Sequence, residues 1–216
     1  MVSELQKRII TSTFLLVLLI LMYLYSYILI ISLIIIALIS WIEFYGLISK
    51  IFYKYKILRF ILKSFSLMYL SLLVLSILYV VSSKPDLKIF FVYSILVSIA
   101  SDIGGITFGK FFKGKKLTKI SPKKTISGSI GSFIFSFLLI PFFIEFFINY
   151  EILILLIITA LISLTTQLGD LFISYMKRKA NVKDTSDLLP GHGGVLDRID
   201  GIIFAVPIGF LLLNYF

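Results

Sequence analysis

Long apolar runs alternate with short polar segments along nearly the whole chain. Residues 9–48 form one run whose only charged residue is Glu43. As a single helix it would be about 60 Å long, twice the hydrocarbon thickness of a bilayer. It therefore predicts two spans that turn near Tyr25–Tyr27, although no Gly or Pro marks the turn. Further spans are expected at roughly 64–82, 88–108, 127–148, 151–173 and 199–216. The pattern predicts an all-α, polytopic integral membrane protein with about seven transmembrane helices, forming a single domain over residues 1–216. No internal repeat or low-complexity linker interrupts it.

Charge refines this picture. Lys and Arg cluster at Lys7 and Arg8, between Lys50 and Lys63, between Lys110 and Lys124, and at Lys177, Arg178, Lys179, Lys183 and Arg198. Seven spans with a cytoplasmic N-terminus put all these on one side and leave only Lys84 and Lys88 outside. That is the positive-inside pattern. The net charge of +10 is thus read as cytoplasmic loops, with no call for nucleic acid. Composition agrees: 59% of the 216 residues are hydrophobic and 15% charged, against about a quarter charged in soluble domains. The absence of Cys excludes disulfides and thiolate metal sites. No removable signal peptide is expected, because the first apolar run is long and lacks an A-x-A-like cleavage site. The basic residues at 50–63 need no role beyond topology. Those at 110–124 and 174–200 come with Gly, Pro, Ser and Asp, and ask for more.

Two aspartates, Asp102 and Asp170, lie within predicted spans, toward their cytoplasmic ends. An Asp at mid-bilayer costs about 2.5–3.5 kcal/mol on insertion scales and tends to be functional. Ser94, Ser98, Ser101, Asp102 and Gly105 recur at spacings of three and four, as do Ser163, Thr166, Gln167, Asp170 and Ser174. Each set shares one helical face, and two such faces are able to line a water-filled cavity open to the cytoplasm. Ordinary helix packing explains the small residues equally well. It does not explain Asp102 and Asp170, which call for a metal, an ion pathway or a loop Lys. Glu43 stands alone, with pairing to a loop Lys as one outcome. Glu145 and Glu151 read as solvated.

The richest segment is 174–200, with four Asp, five Lys or Arg, the only His and three Gly. Asp184, Asp187, Asp197 and Asp200 are hard oxygen donors of the kind Mg²⁺ prefers, one or two at a time with substrate phosphates. Lys177, Arg178, Lys183 and Arg198 suit phosphate charge. Pro190 to Gly194 must turn tightly, and Gly193 and Gly194 let backbone approach a ligand. Asp197 and Asp200, three apart, are placed to share a helical face. His192 reads as a loop hydrogen-bonder and not as a general base. Upstream, Gly109 and Lys110 open a lysine-rich loop that includes Ser121, Lys123 and Lys124 and is suited to phosphate oxygens. No Walker A motif occurs. Residue chemistry alone reaches a metal-dependent reaction of phosphates at the cytoplasmic membrane face.

The segment also resembles the signature of the phosphatidate cytidylyltransferases, or CDP-diacylglycerol synthases. The matching positions are Ser174, Lys177-Arg178, Lys183-Asp184, Pro190 to Gly194, Asp197-Arg198 and Asp200. Asp102, Gly109, Ser121 to Thr125 and Gln167 to Asp170 extend the likeness over the C-terminal half. Ile106-Thr107 and Ile126-Ser127 stand where the family usually has an aromatic pair and an aromatic-Glu pair. The resemblance implies transfer of CMP from CTP to phosphatidic acid, giving CDP-diacylglycerol and pyrophosphate. It implies a Mg²⁺ cofactor, with a second, monovalent cation left open, and Asp170, Asp197 and Asp200 at the metal. Asp184, Lys183 and Arg198 would join them in catalysis. Asp102, Gly109, Lys110, Ser121, Lys123, Lys124, Lys177, Arg178, His192, Gly193 and Gly194 would bind CTP or lipid phosphate. The expected partners are CTP, phosphatidic acid and the bilayer of the bacterial cytoplasmic membrane, with a homodimer as an open assembly. Two other readings are a CTP-dependent polyprenol or phytol kinase and an ion-coupled transporter. The complete signature argues against the first. The one-sided chemistry and the absence of half-repeats argue against the second.

Overall fold

The computed structural model describes residues 4–118 and 121–216; Lys119 of the basic loop lies outside them. The helices are α1 (Glu4–Leu24), α2 (Ser26–Ile51), α3 (Lys56–Ser83), α4 (Lys88–Phe112), α5 (Ile126–Phe137), α6 (Ile140–Phe143), α7 (Ile152–Lys179), α8 (Leu196–Ile199) and α9 (Ile202–Tyr215). Among the described residues the only β pairing is two isolated bridges, Lys116 with Thr125 and Leu189 with Gly193. The protein is an α-helical, polytopic membrane protein. Five segments are long and apolar enough to cross a bilayer: Ser26–Ile51, Lys56–Ser83, Pro85–Phe112, Ile126–Phe147 and Ile152–Lys179. The apolar stretch Ile9–Leu24 is shorter. Helix α9 has 14 residues, about 21 Å against roughly 30 Å of hydrocarbon. The expected turn in the first apolar run falls at Tyr25, whose φ of −123° and ψ of 111° break the helix.

The chain divides into two compact units, one of Met1–Ser83 with Met176–Ile199 and the other of Lys84–Tyr175 with Asp200–Phe216. In the first, α2 packs against α1, α3 and α8. Thr11 on α1 donates to the carbonyl of Pro190, and Glu43 on α2 accepts from Val195. One loop thus meets the start of α1 and the end of α2, so the two helices run antiparallel. Their other faces carry exposed Ile10, Phe14, Ile31 and Ile35. Apolar surface so continuous is suited to lipid and not to water.

The second unit is built around Tyr93, Val97, Phe147, Ile158, Ile162, Ala205 and Leu213. Helices α4 and α5 approach at a glycine crossing. A Cβ on Gly104 would overlap the Gly131 carbonyl, and one on Gly128 would lie 2.7 Å from the Gly105 carbonyl. Small residues let helix backbones touch where lipid offers no hydrophobic drive. The two polar stripes do meet, but over most of their length they form a dry seam. Ser94, Ser98, Ser101, Ser163 and Thr166 are fully buried. The Ser101 and Ser163 hydroxyls are 3.0 Å apart, Thr166 donates to Ser98 at 3.0 Å, and Ser132 donates to the Ser101 carbonyl at 2.7 Å. Of the two readings of these stripes, water-lined cavity or helix packing, the serines follow the second.

The crossing makes a graded prediction. Gly131→Ala forces a methyl into Phe108 and should cost about 1–3 kcal/mol. Gly46→Ala meets nothing within 4 Å and should be neutral or stabilising by up to about 1 kcal/mol. Thermal unfolding of the detergent-solubilised variants checks both.

Candidate functional site

In the second unit, Asp102 on α4 and Asp170 on α7 come together near Lys124. Lys124 Nζ lies 2.5 Å from Asp170 Oδ2, and Ser174 donates to Asp170 Oδ1 at 3.2 Å. Asp102 is close enough to both for their charges to act on it. A small hairpin positions the lysine. Leu117 N donates to the Lys124 carbonyl at 2.8 Å, and Ile126 N to the Lys115 carbonyl at 2.9 Å. Ser121-Pro122-Lys123-Lys124 closes as a turn, with Lys124 N donating to the Ser121 carbonyl and Pro122 at the position whose fixed φ suits it. Thr125 then caps α5, its hydroxyl accepting from Gly128 N at 3.0 Å. One step deeper, Ser129 donates to Gln167 Oε1 at 2.5 Å. Lys110 and Lys123 are exposed, while Gly109 packs under Thr125.

In the first unit the loop between α7 and α8 folds around two carboxylates. Leu189-Pro190-Gly191-His192 is a turn in which His192 N donates to the Leu189 carbonyl at 2.8 Å. Gly191 has φ of 76°, which fits Pro-Gly at the centre of a type II turn. Gly193 follows with φ of 82°, and a Cβ there would lie 3.0 Å from Asp197 Oδ2 and 3.4 Å from Asp184 Cγ. Asp197 Oδ2 accepts from Thr185 N (2.8 Å) and Gly194 N (3.0 Å), and lies 2.9 Å from Thr185 Oγ1. Its Oδ1 accepts from Lys177 Nζ at 2.6 Å. Burial alone would raise the Asp197 pKa, but Lys177 and the two backbone N–H groups outweigh it and hold the carboxyl below its ordinary value.

Glu43 is the second carboxylate. It is 6% exposed and, among the described residues, pairs with no lysine. Ser186 and Thr185 donate to it at 2.6 and 2.8 Å, and the amides of Val195 and Leu196 at 3.0 and 2.7 Å. A Cβ on Gly194 would sit 2.6 Å from both of its oxygens. Sequence reasoning missed Glu43, Thr185 and Ser186 as a set. The available signal was a lone charge in an apolar run, which must find donors somewhere.

Other expected residues fall as follows. Arg178, Lys183, Asp184, Asp187 and Arg198 are exposed. Arg198 donates from Nε and Nη2 to the His192 carbonyl at 3.0 and 2.5 Å. His192 Nε2 is 3.3 Å from Ser12 Oγ, in keeping with its reading as a loop hydrogen-bonder. Asp197 and Asp200 do not share a helix: α8 ends at Ile199, and Asp200 lies in the next turn, where its Oδ1 accepts from Gly201 N. Gly201 there packs on Thr166 too tightly for a side chain.

Among the described residues no three Asp, Glu or His side chains gather as a metal cage. Mg²⁺ takes one or two carboxylates and completes its shell with water and phosphate. Asp102 and Asp170, two hard donors beside one ammonium, fit that need. Asp197, with both oxygens engaged, fits it less well as it stands.

A profile described as the Cytidylyltransferase family matches residues 1–216. The chain belongs to this family. Similar proteins include the phosphatidate cytidylyltransferase of Rickettsia bellii, 40% identical over 150 residues, covering 64% of this chain and 63% of that one. The Helicobacter pylori J99 enzyme of the same name is 36% identical over 125 residues, 58% of this chain and 47% of the relative. That of Staphylococcus haemolyticus is 35% identical over 152 residues, 69% and 58% respectively. The match thus spans about half to under two thirds of these relatives' lengths.

Acid should expose the role of Asp197. Its depressed folded pKa means its stabilisation is present above about pH 4 and is lost as pH falls through the lower folded value. Asp197→Asn leaves the half-buried Lys177 unpaired and should cost about 3 kcal/mol at neutral pH. Its melting temperature should also fall less steeply on acidification than that of the native protein. Scanning fluorimetry across pH reads both effects.

Proposed function

We propose that the protein transfers CMP from CTP to phosphatidic acid, releasing pyrophosphate and forming CDP-diacylglycerol. The observation that carries this reading is the convergence of Asp102, Asp170 and Lys124, the two aspartates standing inside apolar helices α4 and α7. The family match and the names of the relatives support it. A phosphate oxygen of the lipid attacks the α-phosphorus of CTP. The bond from that phosphorus to the bridging oxygen breaks, and pyrophosphate leaves with the electron pair. No general base is needed, because the lipid phosphate is already an anionic nucleophile.

Asp102 and Asp170 are the residues we assign to Mg²⁺, with Asp197 and Asp200 as further candidates. Mg²⁺ bound there would neutralise the triphosphate and stabilise the leaving pyrophosphate. Lys124 holds Asp170 in place and offers its charge to phosphate oxygens. In the other unit, Lys177 and Arg198 are the cations held in position, Lys177 by Asp197 and Arg198 by the His192 carbonyl. Arg178, Lys183 and Lys123 are free to reach phosphate from solvent. By the charge pattern, this chemistry faces the cytoplasm of a bacterial cell membrane.

Purified protein given phosphatidate, Mg²⁺ and CTP labelled at the α-phosphate should place label in lipid, and chelation with EDTA should stop it. Asp170→Asn and Lys124→Gln should each lower the rate by about 100-fold. Lipid labelled only from the γ-phosphate would identify a lipid kinase instead.

A further inference from the structure

The basic residues of 50–63 are more than a topology signal. Between α2 and α3 lies a cavity of about 630 Å³ whose lining includes Trp41, Tyr45, Lys56, Arg59, Phe60 and Lys63. We propose that it binds the phosphate headgroup of an anionic phospholipid. The proposal is independent of the reaction above.

Lys56, Arg59 and Lys63 are spaced by three and four along α3, so one helical face presents all three cations. No Asp or Glu lines the cavity. Among the described residues neither Arg59 nor Lys63 forms an ion pair, although both are only partly exposed. Opposite them, Trp41 and Tyr45 stand one turn apart on α2, edge to face at 5.4 Å. The Lys63 ammonium lies over the Tyr45 ring, 3.2 Å from its centroid. An aromatic face attracts a cation without neutralising it. Three positive charges therefore line one cavity with no counter-charge among the described residues, which suits a phosphate.

The aromatic wall points to a lipid as the source of that phosphate. Trp and Tyr favour the membrane–water boundary, where one end of the ring is wet and the other apolar. Both helices are among the segments able to span a bilayer. Phe60 is 72% exposed beside the cations, which offers an acyl chain a surface that a soluble anion would leave bare. Lysine and arginine stems reach toward the headgroup level from such positions.

Trp41 is the only Trp in the chain, so its fluorescence reports on this cavity alone. The full-length protein would be placed in phosphatidylcholine vesicles containing acyl-brominated phosphatidylglycerol or acyl-brominated phosphatidylcholine. Half-maximal quenching is expected at a several-fold lower mole fraction of the anionic lipid. The double variant Arg59→Gln, Lys63→Gln should erase that preference with its circular dichroism unchanged. If that variant fails to fold, the exposed Lys56→Gln carries the test, and a weakened preference supports the site. Equal quenching by both lipids, or a preference that survives these substitutions, would overturn the proposal. So would its loss on adding millimolar inorganic phosphate, which would mark a site for a soluble anion.

Discussion

A carboxylate on a largely apolar helix must find donors, and the one on Glu43 finds four. A buried carboxylate left unpartnered costs far more than a hydrogen bond returns. Glu43 therefore fixes where the 185–196 backbone must lie, because two of its donors are amides of that backbone and two are hydroxyls beside Asp184 and Asp187. Gly194 is required at the centre, since any side chain would occupy the space of the carboxylate. The order extends outward. The Thr185 hydroxyl lies within hydrogen-bonding distance of both Glu43 and Asp197, and Asp197 in turn holds Lys177. A segment rich in charge thus becomes a defined loop, with Lys177 fixed by Asp197 and Arg198 by the His192 carbonyl.

The other unit solves a similar problem by different means. Its glycines bring α4 and α5 to backbone contact, and its serines tie α4 to α7 without water. Polar residues used this way cost little, because each hydroxyl bonds across a helix pair or back to its own helix. Only at the end of the seam do carboxylates appear, and there a hairpin from the lysine loop meets them. Asp102 and Asp170 are thus carried on packed helices, while Lys124 is set by the turn at Ser121–Lys124. Rigid support of this kind is what a metal and phosphate site needs.

The helical class and the break at Tyr25 were legible because lipid demands long apolar runs, and a run twice the bilayer thickness must turn. The short α9, with Pro207 inside it, was less legible, because apolar composition does not reveal where a helix begins. For the site, spacing correctly put Asp102 and Asp170 on facing stripes. It left the serines between cavity lining and helix packing, because period alone does not separate a wet face from a dry seam; the structure selects packing. It also put Asp197 and Asp200 on one helix, where the chain instead turns after Ile199 so that Gly201 can pack on Thr166. Glu43 was seen but not understood, because its partners lie more than 140 residues away in sequence.

The claim that Glu43 orders the signature loop is tested most directly by amide hydrogen exchange at Val195 and Leu196 in the native protein and in Glu43→Gln. The account expects exchange at these amides, and through residues 184–198, to quicken in the variant, while α4 and α5 keep their protection. Unchanged protection at Val195 and Leu196 would contradict it.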